Sequence, residues 1–220
     1  MKYLENIELE QLSCFLTGHE MGNSILKGRI EAFSCKRAGD DKKLSKSLDQ
    51  KFSEDYVASS SIGDLTQNST RKLLIDLVQT MNASFMDHDF SVISPESFRV
   101  EVVGDIIQQV NSYLSELTAQ RPQFLNDLWK HINDNINIHD CEVYSYLPDF
   151  SDDPLSEGAI WSFNFFFVNK ELKRICYFTC IATPIGRRKQ LYGADPDDDL
   201  NDNSAMDLGE SEDDGDGFDS

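Results

Sequence analysis

Leu9, Leu12 and Leu16 recur at the spacing of one helical stripe, so the chain opens on a short amphipathic helix that ends near Gly18. Residues 25–35, ILKGRIEAFSC, alternate instead. Ile30, Ala32 and Ser34 fall on one side and Arg29, Glu31, Phe33 and Cys35 on the other, which predicts a strand. From about Arg37 to Asn68 the periodicity is lost, large apolar residues are few, and Ser, Lys and Asp dominate. Residues 37–69 are therefore expected to form a mobile insert.

Order returns at Thr70, a residue suited to capping a helix N-terminus, followed by Leu74, Leu77, Val78, Met81 and Phe85 at helical spacing. A connection through DHDFSVISPESF leads to a second helix carrying Val103, Ile106, Ile107, Val110, Leu114 and Leu117 on one face. Arg121-Pro122 interrupts it, because the residue before proline resists the α region. Pro122 suits the first turn of a third helix with Leu125, Leu128, Trp129, Ile132 and Ile136 inward. Three strand-like runs follow at 141–147, 160–168 and 172–183, the last two joined by a turn around Asn169-Lys170-Glu171 as an antiparallel hairpin. The pattern predicts an α+β fold: an antiparallel sheet covered by three to four helices, built from 1–36 and 70–184 as one domain.

Trp161, Phe163, Phe165 and Phe167 occupy alternate positions of one run and so share one face of a strand. The helices need an apolar surface to pack on, and this strip is assigned to the core rather than to a ligand.

Charge changes the picture at the C-terminus. The 220 residues carry a formal charge of −19, but from Asp195 to Ser220 there are twelve acidic residues and no basic one. Residues 1–194 hold the remaining 27 acids against 20 Lys and Arg, a net −7. Residues 185–220 therefore read as a basic cluster, Arg187, Arg188 and Lys189, followed by a disordered acidic tail. A body and tail of this sign repel phosphate backbones, so direct nucleic-acid binding is not expected. The N-terminus lacks an apolar leader core and no stretch approaches 18 consecutive apolar residues, so no membrane association is expected. Five scattered cysteines suit a reducing compartment, where the sequons at Asn68 and Asn82 carry no meaning.

Catalytic and metal motifs are thin. On a strand Cys176 and Cys180 lie roughly 13 Å apart, too far for one zinc ion with ligands at about 2.3 Å. His19, His88, His131 and His139 are dispersed, and neither a phosphate loop nor a nucleophile elbow occurs. The tail run from Asp197 begins like a calcium loop, but Asp202 replaces the glycine and Leu208 the bidentate glutamate. No cofactor, metal or enzymatic activity is expected. The basic residues are more informative: Lys42 and Lys43 stand three and two residues before Ser45, the arrangement that basophilic kinases read. Lys36, Arg37, Lys42 and Lys43 form a candidate partner-contact patch, and Arg187–Lys189 a candidate nuclear-import signal.

The chain resembles one eukaryotic family, the Maf-type (Maf-one) global repressors of RNA polymerase III transcription. The likeness rests on MKYLEN at the first residue, GRIEAFSCKRAGDDK at 28–42, HDFS at 88–91, CEVYSYLPDFSDDP at 141–154 and WSFNFFFVNKELKRI at 161–175. The resemblance implies a non-enzymatic regulator that binds the polymerase and blocks its engagement with its promoter-bound initiation factor. It implies the same fold, an antiparallel sheet with helices on it. It further implies inactivation by phosphorylation of the insert, through TOR and cyclic-AMP-dependent kinases opposed by phosphatases. It implies too that stress reverses the modification and shifts the protein from cytoplasm to nucleus. Ser45 alone carries the paired cations, so the family's kinase site transfers to it; Ser47, Ser59, Ser60 and Ser61 lack the pattern and are secondary candidates. The alternative from another class is an acidic scaffold for basic proteins without polymerase specificity. Neither reading fixes the oligomeric state.

Overall fold

A computed structural model of the chain describes residues 1–36, 40–54, 59–148 and 153–186. In chain order the elements are β1 (Lys2–Tyr3), α1 (Ile7–Leu16), β2 (Glu20–Met21), β3 (Ser24–Ser34), α2 (Asp40–Glu54), β4 (Ser59–Ser60), β5 (Gly63–Asp64) and α3 (Asn68–Ser84). They continue with β6 (Phe98–Glu101), α4 (Val103–Leu114), α5 (Phe124–Ile136), β7 (Glu142–Tyr146), β8 (Trp161–Asn169) and β9 (Arg174–Pro184). Seven strands make one antiparallel sheet in the order β1-β3-β9-β8-β7-β6, with β2 also on β3. The α+β class expected from the sequence is the one observed, with five helices among the described residues rather than three to four.

The central hairpin explains why this sheet holds its register. β8 and β9 pair from Trp161 opposite Ala182 to Asn169 opposite Arg174. Asn169 organises the turn: its amide accepts from the Leu172 N–H at 2.9 Å and donates to the Ile136 carbonyl at 2.9 Å, tying the hairpin to the end of α5. A one-residue slip would turn Phe163, Phe165 and Phe167 onto the opposite face.

Both faces are covered, and here the structure corrects the sequence reading. The odd strip of β8, with Cys176, Phe178 and Cys180 of β9, packs under α1, α4 and α5. The helix predicted from Thr70 does not join them. α3 lies on the other face against Phe166, Val168 and Tyr177, together with α2. Alternation alone concealed this second core, because the even positions of β8 are buried as fully as the odd ones. The arrangement is helices, sheet, helices.

α1 is placed by its cap and its contact with β3. The Asn6 side chain accepts from the Leu9 N–H at 2.9 Å, satisfying a first-turn donor. Leu9, Leu12 and Leu16 then pack inward. The helix comes so near β3 that a Cβ on Gly28 would stand 2.6 Å from the Cβ of Leu16, so this crossing admits only glycine.

The insert is the largest correction. Residues 37–69 were expected as a mobile segment, yet the described part contains the helix α2 and the β4–β5 hairpin. Thr70 does not cap α3, which begins at Asn68 with Gln67 before it. The connection before α4 hides the short strand β6, whose four residues Phe-Arg-Val-Glu are too few to show a period.

Between α3 and the sheet, burial acts on one carboxyl. Glu31 accepts from the Ser84 hydroxyl at the end of α3, while Arg29 donates to the Ser84 carbonyl at 2.5 Å and lies over the Phe85 ring. Desolvation raises the Glu31 pKa above the ordinary 4.5, against the lowering pull of Ser84 and Arg29. A raised folded-state value means the folded chain holds this proton more tightly than the unfolded one. That contribution to stability is complete below the ordinary value and is lost as pH rises through the raised one. Glu31→Gln is therefore expected to raise thermal stability at neutral pH but not below pH 4.5. Thermal unfolding across that range checks it, and a variant less stable than the parent at neutral pH would refute the sign.

Candidate functional site

The sequence places its candidate modification sites in the insert, so the geometry of α2 decides what they can do. Leu44, Leu48 and Phe52 recur every four residues, and Ser45 lies beside that stripe at three and seven residues from Leu48 and Phe52. This side of the helix is its seat. Leu48 and Phe52 are buried among Leu73, Leu74 and Leu77 of α3. Two polar ties hold the helix there. Arg71 Nε of α3 meets Asp49 Oδ1 at 2.7 Å, and the same guanidinium donates to the Leu65 and Thr66 carbonyls, both at 2.9 Å. Lys51 Nζ donates to the Ser91 carbonyl at 3.0 Å.

α3 shows how much α2 covers. Every residue from Leu73 to Met81 is buried, including Asp76, Gln79 and Thr80. A helix enclosed on all sides needs an element on its outer surface as well as the sheet beneath. α2 supplies part of that outer cover.

Ser45, the leading phosphorylation candidate, is only 8% exposed. The sequence puts it in a segment expected to be mobile; the structure places it on the seated side of a packed helix. Lys42, Lys43 and Lys46 are exposed around it, so the cations that a kinase would recognise are displayed while the acceptor is not. Ser47 is exposed on the outer side. Ser59 and Ser60 form β4, with the Ser60 hydroxyl donating to the Gly63 carbonyl at 2.9 Å, and Ser61 is exposed at the turn. Lys36 is exposed just beyond β3. Arg37, and the Arg187-Arg188-Lys189 cluster with the acidic tail, lie outside the described residues.

The aromatic strip is elsewhere in the molecule. Phe163, Phe165 and Phe167 are buried beneath α1, α4 and α5, and Trp161 is half-buried at the end of the row, stacked on Tyr113 of α4 with ring centroids 4.7 Å apart. The row continues through Phe163 and Phe165 at 5.1 Å, with Phe178 edge-on to Phe163 at 5.0 Å. Among the described residues it belongs to a different core cluster from the insert.

Reactive chemistry is sparse. Cys176 and Cys180 are fully buried on one side of β9. Burial pushes the Cys180 thiol up to about 12, and it raises Cys141 to about 12 with help from Asp140. Such thiols are poor nucleophiles and poor metal ligands near neutrality. Among the described residues no group of three or more His, Cys, Asp or Glu side chains is placed to hold a metal, and no helix is long and apolar enough to cross a membrane.

Comparison with known proteins supplies what the geometry alone does not. The Maf1 regulator family model matches residues 26–179. The repressor of RNA polymerase III transcription maf1 of Schizosaccharomyces pombe is 33% identical over 216 residues, spanning 90% of each chain. The Dictyostelium discoideum repressor of RNA polymerase III transcription is 28% identical, covering 82% of this chain and 84% of its own. The crystal structure of citrus MAF1 superposes with a TM-score of 0.67 at 34% identity, covering 80% of this chain and 99% of the citrus one. A second crystal form of the citrus protein gives 0.66 at 36% identity. A family model spanning both faces of the sheet, full-length relatives and a shared fold converge: this chain belongs to the Maf1 regulator family.

Proposed function

We propose that this chain represses transcription by RNA polymerase III, by binding the polymerase and blocking its engagement with the promoter-bound initiation factor. The observation that carries the reading is the match along 90% of the chain to a protein named as a repressor of that polymerase. The physics supports a protein-directed mechanism. A chain of net charge −19 is repelled by promoter DNA but complements the basic surfaces on which DNA or an initiation factor would sit.

Control is assigned to α2. A kinase needs its acceptor hydroxyl and the flanking residues in an extended, open segment, and Ser45 is seated in a helix. Its modification therefore requires α2 to leave α3. A phosphate adds about −1.5 to −2 charges, and a doubly charged group cannot return to a buried position without a large desolvation cost. Phosphorylation thus holds the helix off its seat and changes the surface shown to the polymerase. TOR and cyclic-AMP-dependent kinases, opposing phosphatases, and a nucleus–cytoplasm partition driven through Arg187–Lys189 complete the proposed circuit.

The direct test is binding of the purified chain to RNA polymerase III and to RNA polymerase II, before and after kinase treatment. Selective binding to polymerase III that weakens on Ser45 phosphorylation is the expected result. Equal binding to both enzymes would favour the acidic scaffold instead. Selective binding that ignores phosphate would retain the repressor and discard Ser45.

A further inference from the structure

The two edges of the main sheet are finished in opposite ways. Along β3 the outward backbone groups are taken up by α1 and its flanks. The Ser13 hydroxyl oxygen accepts from the Ile30 N–H at 2.8 Å, and the Thr17 hydroxyl donates to the Gly28 carbonyl at 2.9 Å. The Leu4 and Gly18 N–H groups donate to the Ala32 and Leu26 carbonyls, both at 2.8 Å. Among the described residues no side chain does this for β6, the opposite edge, and the chain's own backbone satisfies only its two ends.

The parity of β6 is set by its pairing with β7. The Leu147 N–H donates to the Ser97 carbonyl at 2.8 Å, and the register runs on through Arg99 opposite Ser145 and Glu101 opposite Val143. In an antiparallel ladder those are the hydrogen-bonded pairs, so Phe98, Val100 and the extended Val102 turn their backbone groups outward. Two of these outward groups are already satisfied within the chain. The Phe98 N–H donates to the Pro95 carbonyl, and the Val102 carbonyl accepts from the Asp105 and Ile106 N–H groups at 3.0 and 3.1 Å. Four remain: the Phe98 carbonyl, both groups of Val100, and the Val102 N–H.

We propose that β6 is a self-association edge, pairing antiparallel with β6 of a second copy of this chain across a two-fold axis at Val100. The four open groups match this symmetry and use it fully. Val100 exchanges both its bonds with Val100 of the partner subunit. The Val102 N–H meets the partner's Phe98 carbonyl, and the reciprocal bond forms on the other side of the axis. The two groups that would complete those outer pairs, the Phe98 N–H and the Val102 carbonyl, are the two already occupied.

The side chains follow the same symmetry. Arg99 is brought opposite Glu101 of the partner subunit, and Glu101 opposite Arg99 of the partner subunit, on the face where the Ser145 hydroxyl already holds Glu101 at 2.5 Å. Arg99 has no carboxylate within ion-pair distance among the described residues of its own chain. On the other face Val100, 55% exposed, meets its own copy, and Val102, 64% exposed, lies opposite Phe98 of the partner subunit, a residue whose ring is buried in its own core. A charged residue on an edge strand ordinarily guards against pairing. Here the guard is +/− across two residues, so it rejects most strands and accepts its own reverse. Four-residue strands bury little area, which makes the dimer weak and concentration-dependent.

Sedimentation equilibrium of the full chain over rising concentration tests this, with three variants. The parent is expected to shift reversibly from monomer to dimer. Arg99→Glu, which sets like charges opposite at both ion pairs, is expected to weaken association roughly tenfold or more. Glu101→Arg does the same with the opposite sign. Arg99→Glu/Glu101→Arg restores it, and an equimolar mixture of the two single variants forms a heterodimer that neither forms alone. Because Arg99 is exposed on the edge, its variant tests the edge without touching the core. A parent that stays monomeric throughout, single variants that associate as the parent does, or a mixture that fails to associate would each overturn the proposal. So would an edge that is filled by an extended segment of another protein while the chain remains monomeric.

Discussion

Phe163→Ala or Phe165→Ala is expected to destabilise the chain by about 3–5 kcal/mol. Each side chain is deeply buried, at 4% and 3% exposure, and each sits in a continuous stack from Tyr113 through Trp161. Truncation removes the transfer energy of the ring and leaves a cavity that three helices and a hydrogen-bonded strand cannot collapse to fill. For a domain of this size that loss lowers the melting temperature by about 10 °C, at 2–4 °C per kcal/mol. A strip that served as an exposed ligand platform would lose a ring at little structural cost. Thermal unfolding of either variant separates the two, and a melting temperature within a degree or two of the parent would remove the strip from the core.

The second large effect concerns access rather than global stability. Phe52→Ala is expected to raise the rate at which a basophilic kinase modifies Ser45, by an amount of order a hundredfold. Phe52 is the largest side chain that α2 seats against α3, and it is 1% exposed. Where opening and closing are fast relative to the enzyme, the modification rate follows the population of the open form. Weakening the seat by about 3–5 kcal/mol multiplies that population accordingly, until the open state predominates. Asp49→Ala, which removes the carboxylate partner of Arg71, acts in the same direction with a smaller effect because Asp49 is part-exposed. Both variants retain Lys42 and Lys43, so recognition is unchanged and only access differs. Equal phosphorylation rates in the parent and in Phe52→Ala would show that the kinase reads Ser45 with α2 in place.

The elements that the sequence revealed are those whose pattern was long and one-sided. Leu9, Leu12 and Leu16, or Ile106, Val110 and Leu114, each mark one buried stripe against a polar remainder, and the helices formed there. β8 shows where that logic stops. Its odd residues announced a core, but Phe166 and Val168 on the even side belong to a second one, and a strand buried on both faces has no period to read. α2 was missed for the reverse reason. Its signal, Leu44, Leu48 and Phe52 at every fourth position, is present but sits among Lys, Asp and Ser, whose composition outweighed it. The consequence for the candidate site is specific: the cations around Ser45 were legible as a kinase pattern, whereas its burial depends on α3, a tertiary partner that no local window contains.

The most direct measurement of the central claim is promoter-dependent transcription of a transfer-RNA gene by purified RNA polymerase III and its initiation factors, with increasing amounts of this chain added. The repressor account requires transcript yield to fall with added protein, strongly when the chain meets polymerase before the promoter complex assembles and weakly when it is added afterwards. Matched reactions with RNA polymerase II should be unaffected. Undiminished polymerase III transcript at saturating protein, or equal loss from both polymerases, would contradict it.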